Sequence, residues 1–355
     1  MIVFTVERVF VKDFTLPQLE GWVESIGERR FRARQLFRNV YVRRVRSYEE
    51  CSDLSRMFRV QLEHGTHLHA MEMVERLESS DGTRKYLFQL HDGHRIESVW
   101  IPDPPRFTLC ISSQVGCALG CRFCLTGSLG LKRNLSAAEI VDQVCQVLAD
   151  PDGQARVTNL VFMGMGEPLA NYDAVLRAIQ ILNDPNGLAF SHRRITLSTA
   201  GVVPRMAQLG RESPVNLAVS LHAADAALRS ELMPINRTYP LDSLIQACRS
   251  YPLAPRKRIT FEMVLLRDVN DSPKHAKQLV RLLHGVRAKV NLIPFNPYEG
   301  AHYGRPPDER VLEFQEVLQN AQLTAMIRQS RGADISAACG QLAGRKNERN
   351  IDIET

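Results

Sequence analysis

The sequence predicts an α/β fold: a partial (β/α)6 barrel preceded by a helical module and a small antiparallel sheet. Three observations carry this expectation. After Pro104-Pro105, apolar runs of strand length alternate with amphipathic stretches through six β-then-α units, a rhythm that argues for parallel strands joined by right-handed crossovers. The units are fewer than a closed barrel uses, so an open or partial barrel fits better than a doubly wound sheet. Before Pro104, helical spacing gives way to alternating runs separated by Asp-Gly dipeptides.

The elements follow in chain order. Residues 1–100 form the front unit. LPQLEGWVESIG, RFRARQLFRNVYVRRV and LSRMFRVQLEHG put apolar residues at three- and four-residue steps, so each predicts a short helix. MEMVERLES, RKYLFQLHDG and HRIESVWIP predict strands, joined by turns at Asp81-Gly82 and Asp92-Gly93. Residues 101–345 form the barrel. FTLCISSQ, VTNLVFMG, RITLSTAG, VNLAVSLH, RITFEMVLL and KVNLIPFNP predict its strands, and TAMIRQS is a candidate extra strand. Ser136 and Glu139 make a capping box before IVDQVCQVL. NYDAVLRAIQIL, VPRMAQLG, a two-part stretch after VSLH, SPKHAKQLVRLLHG and DERVLEFQEVLQNA supply the remaining helices. Residues 346–355 are a polar tail, expected to fray.

Composition narrows the function. With 355 residues, 44% of them hydrophobic, the chain can bury a large core. No apolar run is long enough to span a membrane. The opening apolar run is broken by Glu7, Arg8 and Lys12 and lacks the basic start and small-residue cleavage site of a secretory signal, so a cytoplasmic location is expected. The 8 cysteines are too few and too clustered for a disulfide scaffold; they point to reactive or metal-bound thiols in a reducing compartment. The net charge of +6 is mild, but Arg29, Arg30, Arg32, Arg34, Arg38, Arg43, Arg44 and Arg46 run together without an acid, with Phe37 and Tyr41 interleaved. The bland reading is a solvated helix face, and the sharper one a patch that tracks nucleic-acid phosphates.

Half of the cysteines fall in CISSQVGCALGCRFC, residues 110–124, directly after the first barrel strand. Cys117, Cys121 and Cys124 can wrap one cubane iron–sulfur cluster through three irons, leaving the fourth iron open to a ligand. A structural zinc site would want a second cysteine pair, and none follows. CALGCRFC resembles the CxxxCxxC signature of the radical S-adenosylmethionine (SAM) enzymes. The resemblance implies a [4Fe–4S] cluster whose open iron is chelated by SAM, which is then cleaved to a 5′-deoxyadenosyl radical. MGMGEPLAN resembles the Gly-Glu-Pro loop of these enzymes, implying Gly166 and Glu167 as SAM contacts, with Gly164 and Gly166 letting backbone come close to the ligand.

Residues 95–345 further resemble the RlmN/Cfr family of radical SAM RNA methyltransferases. The shared segments are IESVWIP, TLCISSQVGCALGCRFC, MGMGEPLAN, ITLSTAGVVP, VSLHA, PIN, VNLIPFNP and ACGQLAG. The front module resembles the family's N-terminal accessory domain and is expected to bind RNA. The resemblance implies a route through two thiols. One SAM methylates Cys339; a second SAM yields the radical that removes hydrogen from that methyl group. The methylene radical adds to an adenine ring carbon, and Cys110 attacks Cys339 to form a disulfide and release the base. Such a detour suits a carbon that is not nucleophilic and so cannot attack a methyl cation equivalent.

By position in the matching motifs, Ser198, Ser220, Leu221, His222 and Asn296 are implied SAM contacts, and Glu97 the implied proton acceptor. Read alone, Ser198, Ser220 and Asn296 are ordinary turn formers and Glu97 a strand carboxylate; their recurrence at successive strand ends is what strengthens them. Cys51, Cys145 and Cys248 read as small buried hydrophobes. The expected substrates are 23S rRNA, at adenine C2 in the peptidyl-transferase region, and tRNA next to the anticodon. GLKRNLS and SLG instead look like the C8-methylating, antibiotic-resistance branch, which stays open. A monomer served by a low-potential electron donor such as flavodoxin is expected. A rival radical enzyme acting on a protein glycine would not need the Cys110/Cys339 pair, and an RNA-binding protein with structural zinc would be colourless.

Overall fold

The computed structural model describes residues 8–151 and 155–344; the polar tail at 346–355 lies outside them. The chain opens with β1 (Val9–Phe10), then α1 (Leu16–Ser25), α2 (Phe31–Arg38), α3 (Arg56–Gly65) and β2 (Thr66–His67), which pairs in parallel with β1. All three predicted front helices form. α1 begins at a Thr15–Gln18 capping box, and Leu19 and Val23 are fully buried one turn apart. α2 runs on without a break into a wider turn over Asn39–Arg43, ended by Arg44 in the left-handed region.

Next come β3 (Met71–Glu78), β4 (Arg84–Leu90), β5 (Arg95–Asp103) and β6 (Arg106–Cys110). Gly82 and Gly93 take φ of 80° and 83° in the two Asp-Gly turns, as the sequence predicts. Pro104 and Pro105 turn out to be the tip of the β5–β6 hairpin, with Asp103 opposite Arg106. The change of rhythm there is a turn inside one continuous sheet.

Beyond β6 the chain makes β7 (Gln114–Gly116), α4 (Leu125–Ser128), β8 (Leu131–Asn134) and α5 (Ala137–Ala149). β9 (Asn159–Phe162), α6 (Tyr172–Asn183), β10 (Ile195–Thr199), α7 (Val203–Glu212) and β11 (Asn216–Ser220) follow. After the split helices α8 (Ala226–Leu232) and α9 (Leu241–Ser250) come β12 (Ile259–Leu265), α10 (Pro273–Leu283), β13 (Ala288–Pro294), α11 (Asp308–Asn320) and β14 (Ala325–Ile327). The candidate extra strand is therefore real. One 10-stranded sheet has the order β14-β13-β12-β11-β10-β9-β6-β5-β4-β3. Within that sheet β6 and β9 to β14 pair in parallel, and β3, β4 and β5 extend the β6 edge antiparallel; β7 and β8 form a separate antiparallel pair.

Strand alternation decides which side chains face the barrel. On β12, Phe261, Met263 and Leu265 join the large core under the helices, whereas Val264 packs inward with Phe123, Ala200, Met233 and Phe295. That large core runs from Val11 to Leu342 without interruption, so the front helices and the barrel share one apolar interior.

The front module is docked on α5. The buried Lys12–Asp142 ion pair and Asp13, which accepts the Ala138 N–H at 3.0 Å, hold its first turns. Arg44 and Arg46 donate to the carbonyls of Leu148 and Ala149 at 3.1 and 2.9 Å, satisfying its C-terminus. Arg30 and Arg34 both pair with Glu20, and Arg32 and Arg43 reach Asp53. Much of the arginine run is thus engaged within the fold, a use that the sequence alone does not reveal.

Candidate active site

The loop between β7 and α4 gathers three sulfurs at the C-terminal end of β6. Gly116 turns the chain at φ +75°, where a Cβ would stand 1.9 Å from the Gly130 carbonyl oxygen, so only glycine lets this loop close. Cys124 donates its N–H to the Cys121 carbonyl at 3.1 Å and precedes α4, so its thiol meets the Thr126 and Gly127 N–H groups. Burial raises all three thiols, Cys117 to about 11; Cys124 and Cys117 push Cys121 higher still. Neighbouring thiols in a dry recess resist ionisation until a cation arrives, and metal binding takes them as thiolates. Among the described residues no three Cys, His, Asp or Glu side chains converge as ligands of one ion do. Cysteines that each hold a different iron of a cubane have no need to converge so closely. The donor set fits a [4Fe–4S] cluster better than structural zinc, with Phe123 packed in an apolar wall beside it.

The other implied SAM contacts stand at neighbouring strand ends. Gly164 and Gly166 do provide close backbone approach, but to the protein itself. A Cβ on Gly164 would meet Ser112 Oγ at 2.7 Å, and one on Gly166 would meet Gln114 Cβ at 2.5 Å. Glu167 is buried; its oxygens accept the N–H groups of Leu169 at 3.0 Å and Ala200 at 2.8 Å. Burial raises its pKa against those hydrogen bonds. Its carboxyl group ties the β9 loop to the end of β10, and its own N–H is donated to Gln114 Oε1 at 2.8 Å. Ser198 lies on β10 and Ser220 ends β11. Leu221 donates its N–H to the Glu262 carbonyl at 3.0 Å. His222 takes φ +59°, accepts the Val264 N–H on Nδ1 at 3.0 Å and meets the Phe123 ring edge-on at 4.6 Å. Burial, helped by Arg229, lowers its pKa to about 3, so it is a neutral imidazole. Asn296 accepts the Ser330 hydroxyl beyond β13.

The two remaining thiols, remote in sequence, are neighbours in space. Cys110 ends β6 and is buried; burial pushes its pKa far up and Cys339 adds to the rise. Cys339 lies on a strap, residues 332–344, that leaves β14 and crosses to the antiparallel edge. Gly332 N–H donates to Asp81 Oδ2 at 3.0 Å, Ser79 to Asp334 at 2.6 Å and Lys85 to the Ser336 carbonyl at 3.3 Å. The Gly340 carbonyl accepts the Leu125 N–H at 2.8 Å, tying the strap to the cysteine loop. Cys339 is exposed, yet protein surrounds its thiol closely enough for desolvation to raise its pKa, with Glu262 raising it further.

Glu97, on β5, is buried with both oxygens engaged. Oε1 pairs with Lys85 at 3.2 Å; Oε2 accepts the N–H groups of Ala343 and Gly344 at 2.8 and 3.1 Å. Its carbonyl accepts the Ser112 hydroxyl at 2.7 Å, which sets it next to the β6 end that carries Cys110.

Sequence reading missed two charged groups. Arg229 is fully buried and donates to the carbonyls of Ala200, Leu221 and Ser220 and to Asn236 Oδ1, binding the ends of β10 and β11 and the turn after α8 into one frame. Burial lowers its pKa to about 10, so it stays charged at neutral pH. Glu262, inside β12, is the second; PIN, which contains Asn236, was the one available hint to the first.

Residues 111–280 match the family model described as the radical SAM superfamily, and residues 11–68 match the N-terminal domain of ribosomal RNA large subunit methyltransferases. A dual-specificity RNA methyltransferase RlmN of Syntrophobacter fumaroxidans is 70% identical over 336 residues, spanning 95% of this chain and 98% of that protein. Its counterpart in Geobacter sulfurreducens is 52% identical over 94% of this chain and 92% of its own. The solved structure of a radical SAM methyltransferase from Sphaerobacter thermophilus superposes with a TM-score of 0.92 at 45% identity, covering 95% of this chain and 100% of that one.

Proposed function

The chain belongs to the RlmN family of radical SAM RNA methyltransferases, and on that premise we propose that it methylates C2 of an adenosine in the peptidyl-transferase region of 23S rRNA. The dual specificity named for the relatives supports a tRNA adenosine next to the anticodon as second substrate. What supports the mechanism is that Cys339, on a strap tied to the cysteine loop through the Gly340 carbonyl and the Leu125 N–H, is close enough to Cys110 to raise its pKa.

When bound by Cys117, Cys121 and Cys124, the cluster supplies the electron that turns SAM into a hydrogen-abstracting radical. Gly166, Glu167, Ser198, Ser220, Leu221, His222 and Asn296 line the strand ends where SAM would be held. Cys339 accepts a methyl group as thiolate and presents its carbon to the purine. Two SAM molecules are then consumed per turnover, one for each half of the process. Glu97 takes the proton that leaves the ring carbon; it lies 3.2 Å from Lys85 on the strand beside Cys110. Once the adduct has given up one electron and the ring proton, the Cys110 thiolate attacks the Cys339 sulfur; the S–S bond forms as the S–CH2 bond breaks, and the electron pair left on the carbon takes up a proton to give the free methylated base. Both thiols are raised in pKa, so each must lose its proton as it attacks.

We assign residues 1–100 the role of accessory RNA-binding module and residues 101–345 that of the catalytic barrel. The enzyme acts as a cytoplasmic monomer served by a low-potential donor such as flavodoxin. Among the described residues, no helix is long and apolar enough to cross a membrane. Nucleoside mass spectrometry of 23S rRNA and tRNA from cells with and without this gene tests the reading. Loss of 2-methyladenosine from the rRNA is expected on deletion. Loss of 8-methyladenosine instead would replace C2 with C8.

A further inference from the structure

The barrel wall beside Cys339 carries a polar pair that none of these roles uses. Glu262 and Asn291 are register partners on β12 and β13. Glu262 lies on the same strand face as Val264, which points inward. Asn291 Nδ2 donates to Glu262 Oε1 at 2.9 Å, and the buried Asn291 Oδ1 has no hydrogen-bond partner. A buried acceptor left without a donor is costly, and such an atom marks a place where another molecule can complete the bond. Glu262 is felt by the Cys339 thiol more strongly than any other charged group. That influence puts the pair within electrostatic reach of the sulfur that would carry the methyl group to the base.

We propose that Glu262 and Asn291 read the Watson–Crick edge of the target adenine, Asn291 Oδ1 accepting from the 6-amino group and Glu262 Oε2 donating to ring N1. This rests on the C2 reading, because C2 adjoins N1. The acceptor–donor order suits adenine and opposes guanine, whose corresponding positions are an acceptor and a donor. Glu262 can donate because burial raises its carboxyl to about 7 against the pull of Asn291, Arg328 and Lys289. The sequence hides the pair: Glu262 is one acid in an apolar strand, and Asn291 is 29 residues away in chain order.

The test uses the cluster-loaded holoenzyme and a 23S rRNA fragment carrying either adenosine or purine riboside, which lacks the 6-amino group, at the target position. Wild-type protein should favour adenosine by about tenfold in kcat/KM, the worth of one good hydrogen bond. In Asn291→Ala, or the milder Asn291→Ser, the preference should fall to about one. A general loss of activity cancels in that ratio. Fragments carrying 1-deazaadenosine apply the same logic to Glu262→Leu, while Glu262→Gln keeps a donor and should keep its preference. Preference unchanged in the Asn291 variants, or absent from wild-type protein, overturns the pairing while 2-methyladenosine is still made. An 8-methyladenosine product overturns the C2 reading, and the N1 contact with it.

Discussion

Lys85 and Glu97 form an ion pair of 3.2 Å in which both side chains are buried, and the far oxygen of Glu97 holds the N–H groups of Ala343 and Gly344. The pair anchors the strap that carries Cys339. Replacing Lys85 by Met leaves a buried carboxylate without its counter-charge, a loss of about 3–5 kcal/mol. We expect chemical unfolding to show that loss, and hydrogen exchange to rise in residues 336–344. Lys85→Met/Glu97→Gln should recover most of it. Equal exchange in wild type and Lys85→Met would remove the anchor role.

Cys339 is the exposed sulfur of the pair, whereas Cys110, Cys51, Cys145 and Cys248 are buried. With the cluster in place, iodoacetamide should alkylate Cys339 at least about tenfold faster than these four. Because its pKa is raised, the rate should keep climbing as pH passes 9, the ordinary thiol value. Peptide mass mapping over a pH series reads both. Faster labelling of Cys110 would contradict the described burial.

Cys110→Ala should lose the sulfur that resolves the intermediate. Protein is then expected to accumulate on RNA as a covalent adduct, visible as a shifted band of labelled RNA on a denaturing gel. Normal turnover in this variant would exclude Cys110 from the mechanism.

Glu262 gives stability a pH dependence of known sign. Its folded pKa, about 7, stands above the ordinary carboxyl value of 4.5. As pH rises, the unfolded chain releases this proton first, so stability from this group declines from about pH 4.5 to 7 and is flat above. The full change is roughly 3 kcal/mol. Asn291, Lys289, Arg328 and Cys339 are the groups that face it. Unfolding measured at pH 5 and pH 8 should show Glu262→Gln gaining on wild type at the higher pH. An unchanged difference would place Glu262 in contact with water.

Much of this was readable in the sequence because it repeats locally. Strands and helices of the barrel follow hydrophobic period, and the cysteine loop follows spacing, so both needed only neighbouring residues. The strap did not. ADISAACGQLAG has no period, and its path is set by Asp81, Lys85 and Glu97, all distant in the chain. The arginine run was legible only in part for a related reason: its composition matches a phosphate patch, while its partners within the fold, Glu20, Asp53 and the end of α5, are visible only in three dimensions. For Gly164 and Gly166 the sequence signalled close approach but not what approaches.

The strap's moorings at Asp81 and Ser79 lie on the β3–β4 hairpin tip, at the outer rim of the sheet. The rim is thus mechanically coupled to one sulfur atom. A change of side chain at that tip, touching neither iron nor nucleotide, would be transmitted along a short lever and felt as a misaimed nucleophile. Evolution can tune the alignment of this enzyme from its periphery.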